Sequence, residues 1–216
     1  IAASCGELGI DISQCLTVPG AATSTYLFIA DEQGDMALAV SDMEIYDHVT
    51  PAFLSGRSRL LQNAQVIVVD TNIPPESIAW LAENVKLPIF ADPVSTAKAE
   101  KLRPVLGRLH TLKPNRLEAE LLSGVSITDQ ESLDRAVDTL LATGLRRVFV
   151  SLGGDGVYAA DHQQRLHLPC CPGKMVNTTG CGDAAMAAIT WAYLEGTGLE
   201  GTARAAMAAG AIAMES

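Results

Sequence analysis

Between Thr178 and Asp183 the chain reads Thr-Thr-Gly-Cys-Gly-Asp, and an alanine-rich apolar run follows as far as Gly196. The glycines let the backbone approach a ligand closely and adopt positive φ. The run behind them is a strong helix former. The free amides at its start therefore point at whatever lies in front and, with the helix dipole, form an anion site. Asp183 at this junction has two readings. In one, its carboxylate only complements the dipole. In the other, it accepts a proton from a substrate hydroxyl while the amides of Gly180, Cys181 and Gly182 stabilise charge on a transferred group, which suits phosphoryl transfer. Capping alone does not require Gly-x-Gly before the acid, so the sequence favours the second reading. Cys181 has a rival reading as a nucleophilic thiol at a helix N-terminus, against that of a small residue where alanine would also fit. No histidine lies near it in sequence.

Two further groupings carry possible chemistry. In "LKPNRLEAE", Asn115 and Glu118 stand three apart at a helix start. They read either as a reciprocal capping box or as a pair facing a phosphate-bound Mg²⁺ through water. In "SLGGDG", Ser151, Gly153 and Gly156 follow a strand. They read either as a hairpin turn or as the border of a nucleotide. Neither a Walker A sequence nor a G-x-G-x-x-G after a strand is present.

These groupings need a scaffold, and the chain alternates to supply one. Ala64 to Asp70 is a continuous apolar, β-branched run, expected to be a strand buried on both faces. "PPESIAWLAENV" reads as a helix, "LPIFADP" as a strand, and "TAKAEKLRPVLGR" as a helix bent at Pro104. "LHTLKP" reads as a strand and "NRLEAELLSG" as a helix closed by Gly124. "DQESLDRAVDTLLATG" is a longer amphipathic helix, and "RRVFVSLGGDGVYAAD" gives strand, glycine turn and strand. "RLHLPC" reads as one more strand, and two alanine-rich helices finish the chain. Such alternation implies a mostly parallel sheet covered on both faces. The earlier stretch "TSTYLFIADEQGDMALAV" differs, reading as two β-rich runs joined at Glu32 to Asp35.

Bulk properties limit the function classes. The 216 residues are 48% hydrophobic, enough for a core, and the formal net charge is −10. An acidic chain fits neither nucleic acid nor an anionic membrane surface as partner. The five cysteines are odd in number and lack C-x-x-C spacing, and the four histidines lack metal-ligand spacing. No apolar run approaches the roughly 20 residues of a membrane span. The expectation is a cytoplasmic protein acting on a small molecule.

Taken together, "NTTGCGDAAMAA" and "KPNRLEAE" resemble the C-terminal signature and the N-x-x-E motif of the ribokinase-like (PfkB) family of carbohydrate and nucleoside kinases. "DPVSTAKAEKLR", "SLGGDGVY" and "SDMEIYDHVTP" resemble those members that act on pseudouridine. The resemblance implies a three-layer α/β/α core over residues 1–10 and 51–216 and a small β lid over residues 11–50. It implies ATP-dependent phosphorylation of the 5′-hydroxyl of pseudouridine, or of another sugar or nucleoside, with Asp183 as base and Gly180, Cys181 and Gly182 as anion hole. Asn115 and Glu118 would organise Mg²⁺, and Ser151, Gly153 and Gly156 would border ATP. Asn177 and Thr179 would shape a loop for a monovalent cation such as K⁺, while Ser24, Tyr26 and Asp42 would close over the substrate. The free strand edges of the lid suit a homodimer. The chain has Asn177 where the family usually has Asp, and Cys181 where it has Ala. Family members carry a segment before the position of Ile1 and another past that of Ser216, so the resemblance implies a piece of a longer protein, and a nucleotide-binding piece without turnover is the alternative.

Overall fold

Apolar β-branched runs separated by helix-forming stretches fold as that alternation requires. Their strands run parallel until the connections become too short for a crossover. The computed structural model describes residues 1–30, 36–171 and 178–215. The chain divides into two units, Ile1–Val49 and Thr50–Ser216.

The first unit holds α1 (Ala2–Glu7), the antiparallel strands β1 (Thr25–Ala30) and β2 (Met36–Asp42), and a 3-10 helix over Glu44–His48. Thr25 pairs with Asp42, Leu27 with Val40 and Ile29 with Leu38, and the register shifts between Ile29 and Ala30. The turn expected at Glu32 to Asp35 lies outside the described residues.

The second unit begins with α2 (Pro51–Ser55) and α3 (Ser58–Asn63), then β3 (Ile67–Asp70), α4 (Pro75–Asn84), β4 (Ile89–Asp92) and α5 (Thr96–Ala99). It continues with β5 (Thr111–Leu112), α6 (Arg116–Ser123), α7 (Gln130–Ala142), β6 (Arg147–Ser151), β7 (Val157–Asp161) and β8 (Arg165–Leu168). α8 (Cys181–Leu194) and α9 (Leu199–Met214) complete it. The six strands follow one another in chain order, β3 to β6 parallel and β7 and β8 antiparallel. Only five residues separate β6 from β7, which permits a hairpin and excludes a helical crossover.

The two faces of β7 show the layering. Val157 and Ala159 pack with Phe90, Phe149 and the α8 and α9 residues Met186, Ile189, Leu199, Ala203 and Ala206. Tyr158, between them, turns the other way and its hydroxyl donates to Asp134 of α7. Helices thus cover both faces of a mostly parallel sheet, as the sequence implied. No helix among the described residues is long and apolar enough to cross a membrane.

Three elements differ from their sequence pattern. β3 is an edge strand of this sheet and its Val68 is half exposed, so double-faced burial holds for Phe90 and Ala91 of β4 but not for β3. The stretch after α5 is a 3-10 helix over Glu100–Arg108 with Pro104 inside it, rather than a bent α-helix. Pro104 lacks an N–H and its ring crowds the carbonyl four residues back, which disfavours α geometry there. β5 is only two residues long. The α6 caps, set by local sequence, fall where expected: Asn115 caps α6 and Gly124 closes it at φ 73°. Asp129 caps α7 in a box with Ser132.

Candidate active site

In an open parallel sheet the carboxyl ends of the strands form the natural binding edge. Here β3 ends in Asp70, β4 in Asp92 and β6 in Ser151, while Lys113 directly follows β5. Register brings these ends together: Asp70 lies opposite Asp92, and Asn115 forms a parallel bridge with Ser151. The Ser151 amide donates to Pro114 O at 2.9 Å, which fixes Asn115 beside the end of β6.

α8 starts beside this edge. Gly180 is its N-cap residue at φ 85°, a left-handed conformation suited to glycine. The Cys181 amide turns back to Thr178 O at 3.3 Å, and the Ala184 amide bonds Gly180 O at 2.9 Å. Among the described residues, the amides of Gly182 and Asp183 have no backbone partner, so they are the donors open to an anion. Asp183 stands exposed in the first turn, and its carboxylate makes no hydrogen bond or ion pair among the described residues.

A cleft of about 660 Å³ lies against these elements. Its lining brings together Asn115, Ser151, Gly153, Gly156, Cys181 and Gly182 from three separate stretches of sequence. The far wall is apolar, with Phe149, Ile189, Met207 and Met214. Gly180, Asp183 and Glu118 do not line the cleft, although each neighbours a residue in or near its wall. The glycine turn is tightly specified. Gly156 has φ 95°, a methyl built on it would lie 2.0 Å from Leu168 O, and its own carbonyl accepts the Leu152 amide at 2.8 Å. Cys170 Sγ donates to Gly153 O at 3.1 Å.

Asn115 and Glu118 form the capping box. The Asn115 amide donates to Glu118 Oε2 at 2.8 Å, and the Glu118 amide donates to Asn115 Oδ1 at 2.9 Å. Glu118 is only 3% exposed. Burial pushes its carboxyl above the ordinary range and the nearby Asp92 charge adds to this, while the Asn115 amide and Lys113 pull it back.

The remaining candidates are placed differently. Ser24, Tyr26 and Asp42 belong to the first unit. Strand alternation puts Asp42 on the face of Thr25 and Leu27, and Tyr26 on the opposite face. Thr179 is exposed in the turn before Gly180, and Asn177 lies outside the described residues.

Sequence reasoning missed Lys113 and Asp92. Lys113 Nζ and Asp92 Oδ2 are 2.8 Å apart, with side chains 9% and 16% exposed. Asp92 Oδ1 also accepts the amide of Val94, whose φ of 65° is strained for a β-branched residue. The signal was present in "IFADP" and "LHTLKP", where apolar strands end on a charge at the binding edge.

Comparison with known proteins follows the same lines. The whole chain, residues 1–216, matches the family model described as pfkB family carbohydrate kinase. The chain is 40% identical over 193 residues to pseudouridine kinase of Escherichia coli (strain K12), a match covering 88% of this chain and 61% of that protein. It is 35% identical over 212 residues to an uncharacterized sugar kinase, YeiI, of the same organism, covering 96% of this chain and 58% of the other. A solved carbohydrate kinase from Agrobacterium tumefaciens superposes with TM-score 0.78 at 26% identity, covering 100% of this chain and 69% of that one. The chain thus spans about three fifths of the length of the two curated relatives.

Proposed function

This chain belongs to the pfkB family of carbohydrate kinases, and from that membership we propose that it serves ATP-dependent transfer of a phosphoryl group to the 5′-hydroxyl of pseudouridine. One observation carries the reading: a single cleft gathers Asn115, Ser151, Gly153, Gly156, Cys181 and Gly182 beside the first turn that holds Asp183. The pseudouridine acceptor is supported by the 40% identity to an enzyme of that name. Another sugar or nucleoside remains the second reading, supported by the 35% identity to an uncharacterized sugar kinase.

In this mechanism the acceptor oxygen attacks the terminal phosphorus in line. The new P–O bond forms as the bond to the bridging oxygen of the departing diphosphate breaks. Asp183 takes the hydroxyl proton, for which its exposed, unengaged carboxylate is suited. The Gly182 and Asp183 amides stabilise charge on the transferred group. The glycine turn of Gly153 and Gly156 lets backbone lie against the nucleotide.

Among the described residues no cluster of three His, Cys, Asp or Glu could hold a metal ion. The donor set suits instead a hydrated Mg²⁺ carried on the phosphates, with Asn115 at the cleft wall and the Glu118 oxygen Oε1 outside the capping box as hard ligands through water. Bound there, Mg²⁺ would offset phosphate charge. The monovalent-cation role of Asn177 and Thr179 rests on sequence resemblance. For the first unit, a second copy of the chain is the partner we assign, because the cross-strand pairs Leu27–Val40 and Ile29–Leu38 are all exposed.

The test is mass-spectrometric detection of phosphorylated product with ATP and Mg²⁺, offering pseudouridine, uridine and ribose separately, alongside Asp183→Asn. Product from pseudouridine that vanishes in the variant is the expected result. Product from uridine or ribose alone keeps the reaction and removes the substrate. No product from any acceptor turns the reading to a nucleotide-binding protein without turnover.

A further inference from the structure

We propose that Lys113 contacts the phosphoryl group during transfer and that Asp92 is the residue that positions it. The inference rests on the phosphotransfer reading above and adds a cation to which the sequence motifs gave no role.

Three observations converge. Lys113 is the one charged side chain among the described residues that line the cleft. The chain as a whole carries a formal charge of −10, so a polyphosphate meets a repulsive field unless a local cation offsets it. Lys113 is also placed where the charge would develop. A methyl on Gly182 would lie 3.4 Å from Lys113 Nζ, so the ammonium lies beside the helix start whose Gly182 and Asp183 amides are open. With glycine at this position the space beside the ammonium stays available to a phosphate oxygen.

Holding an ammonium in so apolar a cleft is costly unless it is paired. Asp92 supplies the partner at 2.8 Å through Oδ2. Its other oxygen accepts the Val94 amide at 3.0 Å, across a backbone held at φ 65°. Strained backbone of this kind persists where surrounding structure over-determines it, and here it fixes the carboxylate that aims Lys113. The acceptor proton goes to Asp183, and Lys113 only compensates charge on the transferring oxygens as one P–O bond forms and the other breaks.

The experiment uses the full chain and three variants: Lys113→Met combined with Asp92→Asn, Asp92→Asn alone, and Lys113→Arg. The combined variant removes both charges and leaves neither unpaired. Turnover, KM for acceptor and ATP, calorimetric affinity for ADP, and melting temperature are read for each. The expected result is a kcat loss on the order of 100-fold in the combined variant, with acceptor KM, ADP affinity and melting temperature retained. Asp92→Asn alone loses less, because its amide oxygen still accepts from the ammonium, and Lys113→Arg recovers part of the rate. A combined variant that turns over like the wild type overturns this inference alone. So does a loss that merely tracks a lowered melting temperature and is equal in Lys113→Arg. A wild type that binds ADP yet phosphorylates no acceptor overturns the phosphotransfer reading, and this inference with it.

Discussion

Asn115 and Glu118 hold each other, each backbone amide donating to the other's side chain, at 2.8 and 2.9 Å. The two sequence readings of this pair are therefore compatible: the box that starts α6 also fixes a carboxylate behind the cleft wall. The roles separate by substitution. Asn115→Ala removes the N-cap and lowers stability by about 1 kcal/mol. Glu118→Gln keeps an oxygen for the Asn115 amide, so its melting temperature stays near that of the wild type. The same variant lowers turnover and raises the Mg²⁺ concentration needed for half-maximal activity. Unchanged Mg²⁺ dependence in Glu118→Gln would leave capping as its whole role.

Asp183 and Cys181 sit two residues apart and are expected to respond in opposite ways. Asp183→Asn removes the proposed proton acceptor and is expected to lower kcat by on the order of 10²–10⁴-fold. Because Asp183 is exposed in the first turn, the stability change stays within about 1 kcal/mol. Cys181→Ala leaves the backbone donors in place and retains activity. Steady-state rates for both variants decide the matter. Activity lost in Cys181→Ala and kept in Asp183→Asn would point to a thiol nucleophile instead.

What was legible in the sequence was local. Asn115, Gly124 and Asp129 declare the ends of α6 and α7 because capping acts over three or four positions. The parallel sheet followed from alternating strands and helices. The Lys113–Asp92 pair was not legible, since 21 positions separate the two residues and only strand register joins them. Half-exposure of Val68 is of the same kind, because an apolar run does not say whether its strand lies at a sheet edge. In the Glu100–Arg108 segment one Pro104 outweighed the helical periodicity of its neighbours.

The glycine turn supplies a graded test. Gly153 and Gly156 both have positive φ, at 63° and 95°, but only Gly156 has backbone against it. Gly153→Ala incurs only the left-handed penalty, about 1–2 kcal/mol. Gly156→Ala adds a clash with Leu168 O, so its loss exceeds about 3 kcal/mol unless the segment shifts. Urea midpoints measure the difference. A shift that relieved the clash would move Cys170 and Cys171 at the cleft and weaken ADP binding, which calorimetry would detect.

The exposed face of the first unit gives a prediction about assembly. Leu27 and Val40 are cross-strand partners, 66% and 63% exposed. Leu27→Lys with Val40→Glu keeps the strands compatible through an opposite-charge pair but makes the face unsuited to apolar contact. Sedimentation equilibrium should show a dimer for the parent chain and a monomer for the double variant. An unchanged molecular mass would remove this face as the contact.

His110 gives the protein a pH dependence of predictable sign. Its ring stacks on Phe90 at 5.3 Å and meets Tyr193 edge-on at 4.8 Å, with Nδ1 2.9 Å from Thr111 Oγ1. Burial, followed by the charges of Arg147 and Arg146, lowers its pKa from 6.5 to about 4. The folded state thus keeps the ring neutral where the unfolded chain already binds a proton. The contribution is complete above the unfolded value and is lost as pH falls from 6.5 toward about 4. Glu118 acts in the opposite sense, because burial raises its pKa and the folded state takes up its proton first. The test is therefore a comparison rather than an absolute slope. Between about pH 7 and about pH 5, the native protein should lose roughly 1–2 kcal/mol more than His110→Leu, after allowance for solvent screening. Urea unfolding at both pH values measures it. Parallel losses in the two proteins would mean that the ring gains its proton in the folded state without resistance from Phe90 and Tyr193.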